Sequence, residues 1–386
     1  MKKEIKIYLL LAALLIVHLI FIVFIEKNIY PIHLTLQNFF LLDLMGKTKH
    51  LPEAFIYVFE LGNVFLLWII ARKKIKGYQA LIPSLIYAIS PWGAYLTAAG
   101  SFYVFLLLLV LVFIYSLILI KEDIKPFGQI LFLSSSLVAI YSSVFLLILI
   151  PVAICLILVL KIISLKDLKI PTLLFVLLAL PLLLFSFKNR ANTQNILQNE
   201  VSIFADPGHI NTVNSFEGEA GQVNMNILGR ISENKYVFSG EYLLFKFSEQ
   251  LVPATFFTSQ EKLLDFSFSS PIFLGFLIPF FYGIYLLLKS ENTGKIVLIS
   301  SLLVIPSVLA QEPVNLNRLI IFMPVVIFII SYGIVKLLEQ KDKKKVWILA
   351  FSILVLLQIF ITINDIKVRE KARFIQYFGQ DYEVKQ

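Results

Sequence analysis

The chain has 386 residues, 59% of them hydrophobic and 15% charged, with a mean hydropathy of +0.85 and a formal net charge of +9. A water-soluble domain of this length could not cover so much apolar surface with so few charges, so composition excludes a soluble fold. The basic excess does not call for nucleic acid, because the lysines and arginines cluster beside apolar runs, where they orient a membrane protein.

A bilayer core needs ~20 apolar residues per helical crossing. Stretches that meet or approach that length fall at 7–25, 52–70, 78–96, 102–120, 127–141, 144–160, 170–187, 271–288, 296–310, 319–338 and 346–363. The expected fold is therefore an all-α polytopic membrane protein of about eleven transmembrane helices. It reads as a single membrane domain over 1–386, with one large loop, 188–268, between the seventh and eighth spans.

The chain opens with Lys2, Lys3 and Lys6 ahead of an apolar run, as a signal peptide would. The run is long for one and no small-x-small cleavage site follows, so the first span reads as a retained anchor, with His18 as a packing residue inside it. In the first loop, Ile29, Ile32, Leu36, Phe39 and Phe40 suggest an interfacial helix, and Glu26 and Asp43 are its acids. On spacing alone such acids mark solvated helix ends. Within the second span, Glu60 and Asn63 share a face at i and i+3. An ionisable group at that depth needs a partner or a water-filled cleft. Tyr141-Ser142-Ser143 offers a tight turn between the fifth and sixth spans; the alternative is one long tilted helix. Cys155, the only cysteine, lies mid-span, which excludes disulfides and cysteine-based metal sites. Pro151, Pro181, Pro279, Pro306 and Pro324 are expected to bend their spans.

Basic residues alternate by side. Lys2, Lys3 and Lys6, then Arg72, Lys73, Lys74 and Lys76, then Lys161, Lys166 and Lys169, then Lys341, Lys343, Lys344 and Lys345 all fall on one face. The positive-inside rule makes that face cytoplasmic, with the N-terminus inside and the long loop outside a cytoplasmic (plasma) membrane. The C-terminal tail would also lie outside, against the vote of its own Lys367, Arg369, Lys371 and Arg373.

The long loop begins with a polar connector, 188–200, followed by a turn at Asp206-Pro207-Gly208. Residues 236–251 then show helical periodicity. Tyr236, Leu243, Leu244, Phe247 and Leu251 share one face, while Ser239, Lys246 and Gln250 lie on another. Such a helix lies along a membrane surface or packs on the bundle. Phe256, Phe257, Phe266 and Phe268 lead back to the bilayer. The loop serves either as an anchored structural element or as a cap over a lipid-linked substrate.

Ser90-Pro91-Trp92 at the outer end of a span, the large outer loop after the seventh span, and Asn317-Arg318 leading into Pro324 resemble the glycosyltransferase C superfamily. Within it, the chain resembles bacterial membrane proteins of the protein O-mannosyltransferase and aminoarabinose-transferase type. His50-Leu51-Pro52 resembles the Arg-Leu-Pro at the start of that group's second span. Asp206-Pro207-Gly208, Arg230 with Asn234-Lys235, and the Phe256-Phe257 region resemble its outer loop, and Phe378 and Tyr382 the start of a C-terminal outer segment. The resemblance runs from about His50 onward, and the order of the motifs carries more than any one of them.

The resemblance implies a glycosyltransferase C-like fold and a sugar carried on a polyprenyl phosphate, attacked by a glycan, lipid or protein acceptor at the outer face. An acid of the first outer loop, Glu26 or Asp43, would act as base or position a divalent metal; no other cofactor is implied. Arg318 would hold the leaving phosphate, with Arg230 and Lys235 as further contacts. The chemistry is sound in such a site: a prenyl chain partitions into lipid, and charge developing on phosphate is stabilised by preorganised cationic donors. The chain departs from the pattern in two places. Its first loop is short and lacks the family's Asp-Glu pair, and the Thr97-Ala98-Ala99 region stands where an Arg commonly follows Ser-Pro-Trp.

Asp206 and His209 could share a divalent ion, but two ligands make no metal site. Neither a Walker loop nor a His-Glu-x-x-His signature occurs, against an ATP-driven pump or a zinc protease. Two other readings stay open. One is a catalytically silent relative that binds lipid-linked sugar or scaffolds envelope assembly. The other is a secondary transporter or flippase, although no internal repeat of the kind such folds carry is found.

Overall fold

The computed structural model describes residues 2–28, 53–98, 100–122, 124–200, 235–258, 270–310, 314–340 and 344–368, with positions 211, 215 and 219. Among these the secondary structure is entirely helical. In chain order the helices are α1 (Lys2–Asn28), α2 (Glu53–Arg72), α3 (Ile82–Ile89), α4 (Pro91–Ala98), α5 (Tyr103–Lys121), α6 (Lys125–Ser142), α7 (Val144–Val159), α8 (Leu165–Lys188) and α9 (Arg190–Glu200). They continue with α10 (Lys235–Leu251), α11 (Pro253–Phe257), α12 (Leu277–Leu288), α13 (Thr293–Leu302), α14 (Ile305–Val308), α15 (Leu316–Leu319), α16 (Met323–Glu339) and α17 (Lys344–Val368).

Six helical segments are long and apolar enough to cross a membrane: Glu4–Glu26, Ala54–Arg72, Tyr103–Lys121, Leu165–Lys188, Leu316–Glu339 and Lys345–Asn364. Such segments mark a multi-pass membrane protein, since a helix satisfies its own backbone groups where water is absent. Shorter apolar helices, Gly77–Ile89, Val144–Val159, Leu274–Leu288 and Thr293–Leu302, occupy four further predicted spans. Their shortness has a local cause in two of them. Pro91 opens α4 directly after Ser90 turns to extended backbone, and Pro306 sits in the first turn of α14. A proline cannot donate to the preceding turn, so it starts a new helix rather than bending the old one. Pro324 does the same at the start of α16, whereas Pro151 and Pro181 lie inside α7 and α8.

The centre of the bundle is α5 with the α15–α16 run, both mostly buried; α1 and α17 are the most exposed of the six. α5 packs on α2 and α6, and α12 packs on α16. The last pair approaches backbone to backbone: a Cβ on Gly283 would run into the Ile329 carbonyl, and one on Gly333 into that of Pro279. The fifth and sixth predicted spans are two helices, not one tilted rod. Ser143, extended at φ −145 and ψ 135, ends α6 and begins α7, and the two pack together.

The 188–200 connector is helical, forming α9 against α7 and α8. The helix predicted at 236–251 is present as α10, with Leu243 and Phe247 of its apolar face against the core but part of its polar face also turned inward. Lys246 and Gln250 are buried while Leu244 is 71% exposed. The inward polar groups find carbonyl and hydroxyl partners.

Candidate functional site

Two polar clusters adjoin the α3–α4 break. The first surrounds Arg318. Asn315, in extended backbone, caps the short α15 by accepting from the Arg318 amide at 2.9 Å. The Arg318 side chain is buried. Its guanidinium carbon lies 4.9 Å from the Phe145 ring centroid, and Nη1 reaches the Pro306 carbonyl at 3.5 Å.

Trp92, fully buried, donates its indole N–H to the Leu316 carbonyl at 3.0 Å, and its backbone N–H to the Pro271 carbonyl at 3.2 Å. The Trp92, Phe256 and Phe322 rings follow one another with centroids 6.0 Å apart. Ser101 donates to Asn317 Oδ1. The motifs Ser90-Pro91-Trp92 and Asn317-Arg318, far apart in sequence, thus share one junction.

The loop helix α10 closes on the same junction. Lys246 donates to the Ala310 carbonyl. Ser307 Oγ lies 2.7 Å from Gln250 Oε1 and 2.9 Å from the Asn315 carbonyl, and accepts from the Asn315 amide at 3.1 Å. Two buried cationic side chains, Lys246 and Arg318, therefore reach carbonyls on and just beyond α14. Lys246 and Gln250 were missed as site residues. Their spacing of four put them on one face, but only the folded chain turns that face inward.

The second cluster is built on Glu60, fully buried in α2. Its Oε1 lies 3.0 Å from His18 Nε2 of α1. Its Oε2 accepts from the Tyr87 hydroxyl of α3 at 2.6 Å and from Asn63 Nδ2 at 3.3 Å. Asn63 Nδ2 also donates to the Val104 carbonyl at 3.1 Å, which orients the amide. His18 Nδ1 sits 2.7 Å from the Ala88 carbonyl. Gly93 of α4 faces the carboxylate, and a Cβ there would come within 2.6 Å of Oε1. The partner expected for Glu60 exists, and His18 is more than a packing residue: it is one arm of that cluster. The two clusters adjoin through neighbouring residues, since Gly93 backs on Glu60 while Trp92 holds Leu316.

Glu26 ends the described side chains of α1 and accepts from the Tyr57 hydroxyl at 2.5 Å. Lys235 is the first residue of α10. Asp43, Asp206, His209 and Arg230 lie outside the described residues, as do His50-Leu51-Pro52 and the 206–208 turn. Among the described residues no three His, Cys, Asp or Glu side chains gather to hold a metal ion. Comparison of the chain with protein-family models and with curated proteins returns no match.

Proposed function

We propose that this protein is an integral membrane glycosyltransferase of the glycosyltransferase C type, taking a sugar from a polyprenyl-phosphate donor at the outer face of the cytoplasmic membrane. The observation that carries the reading is the junction itself: Trp92 of the Ser-Pro-Trp break hydrogen-bonds the residue before Asn317-Arg318, at 3.0 Å. Motifs that resemble one family in sequence thus converge around one buried arginine. In this reading the eleven crossings comprise the six long helices, the four shorter ones and α6, with α10 lying over the outer end.

Chemically, Arg318 stabilises the phosphate as the bond to the anomeric carbon breaks, because a cationic donor in a water-poor site is worth more than in solution. Phe145 and the Pro306 carbonyl hold the guanidinium in place beforehand. The acceptor hydroxyl loses its proton to an acid of the first outer loop, Glu26 or Asp43; the alternative role for that acid would be to position a divalent metal. Arg230 and Lys235 are further phosphate contacts from the long loop.

The test is sugar transfer by the purified full chain from a polyprenyl-phosphate hexose. Arg318→Ala abolishes transfer while expression persists, and of Glu26→Gln and Asp43→Asn one is silent and the other dead. Unchanged transfer in Arg318→Ala removes that residue from the mechanism. A second reading, a lipid-sugar binding scaffold without turnover, is favoured by the missing Asp-Glu pair and by the engagement of Glu60 with His18 and Tyr87. Lipid-phosphate binding with no detectable transfer would select it.

A further inference from the structure

Glycosyl transfer at Arg318 makes no use of the His18–Glu60 pair, yet the pair's hydrogen bonds limit how many protons it can hold. The Ala88 carbonyl only accepts, so His18 Nδ1, 2.7 Å away, carries a hydrogen. Glu60 Oε2 is already taken as an acceptor by Tyr87 and Asn63. What remains is the 3.0 Å line between His18 Nε2 and Glu60 Oε1. With no proton on that line, a ring lone pair would face a carboxylate oxygen in a fully buried place. With two, donors would oppose each other, and an uncompensated imidazolium would sit beside a neutral acid. One proton makes the contact a hydrogen bond and leaves the pair without net charge, whichever atom holds it.

We propose that His18 and Glu60, braced by Tyr87, form an intramembrane proton-binding site that holds a single proton between imidazole and carboxylate and fastens α1 to the bundle. The groups around the pair come from every element packed there: Asn63 from α2, Tyr87 and the Ala88 carbonyl from α3, and Gly93 from α4. The Val104 carbonyl of α5 acts through Asn63. None of them carries a charge at neutral pH, so the proton is the pair's own counter-charge. On the His18 side the chain of contacts ends at a backbone carbonyl, which cannot pass a proton onward.

The position on α1 explains the use. α1 buries one seam, Leu11, His18, Ile22 and Ile25, and His18 is its polar member. Loss of the proton would set lone pair against carboxylate in the middle of that seam. α1 would then keep only the His18–Ala88 hydrogen bond and apolar contact at this level.

The chain has four histidines, so replacing His33, His50 and His209 by Gln leaves His18 as the only one. That full-length variant, with ¹⁵N-histidine and ¹³C-glutamate in lipid nanodiscs, is read by NMR; Glu60→Gln assigns the Glu60 carboxyl by difference. The expected spectrum at neutral pH has Nδ1 protonated and one proton shared between Nε2 and the Glu60 carboxyl. In the Glu60→Gln variant the new amide donates, and Nε2 moves to the unprotonated range. An unprotonated Nδ1, a second proton on the pair, or no proton between Nε2 and the carboxyl overturns the proposal. Should the triple variant not fold, the wild-type spectrum minus that of His18→Gln gives the same readout. The result is independent of sugar transfer, so either idea can fail alone.

Discussion

At the Arg72 end of the bundle, charges meet charges in partly exposed pairs: Arg72 with Glu4 at 3.4 Å, Lys73 with Glu122 at 2.6 Å and Lys125 with Asp167 at 3.0 Å. At the Arg318 end, Arg318 and Lys246 are buried: Arg318 lies over the Phe145 ring and reaches the Pro306 carbonyl, and Lys246 lies over the Tyr242 ring and donates to the Ala310 carbonyl. Exposed pairs contribute about 0–1 kcal/mol each and are exchangeable. A buried cation needs dipoles and rings arranged around it, because desolvation is expensive. The first arrangement suits a rim that sets orientation.

Substitutions at both ends sharpen that contrast. The largest expected effect is on activity: Arg318→Ala lowers sugar transfer by about 100- to 1,000-fold, the scale of losing one preorganised donor. An assay showing less than a twofold change would erase the distinction between the two ends. Next comes Glu60→Ala, which leaves His18 facing an empty place and destabilises by about 3–5 kcal/mol. Thermal unfolding in detergent reads this, and Glu60→Gln, which keeps the hydrogen bonds, loses markedly less.

Gly93→Ala forces the Glu60 carboxylate or the start of α4 aside, at about 1–3 kcal/mol by the same measurement. Trp92→Phe strips the Leu316 carbonyl of its donor and costs about 1–3 kcal/mol. Smallest is Lys73→Ala, about 0–1 kcal/mol, with transfer unchanged. If Lys73→Ala were as damaging as Trp92→Phe, the rim would be structural after all.

Much of the fold was legible because lipid leaves so few backbone options. The runs that became α1, α2, α5, α8 and α17 could be read from apolar length alone. The periodicity of α10 was also readable, but not its direction: Lys246 and Gln250 turn inward because α14 and the Ala310 carbonyl lie beneath them. The need of Glu60 for a partner was evident from its depth. That the partner would be His18, 42 positions earlier, was not, since nothing local says which spans adjoin. Arg318 stood out at a helix boundary, whereas the Phe145 ring over it comes from a span whose place in the bundle only packing decides.

The most direct test of the buried-cation site is native mass spectrometry of the purified full chain, looking for bound polyprenyl phosphate in the wild type and in Arg318→Gln. A lipid phosphate held by the wild type and lost from the variant is the expected result. A wild type that carries none when supplied with it, or a variant that holds it equally well, would contradict the account.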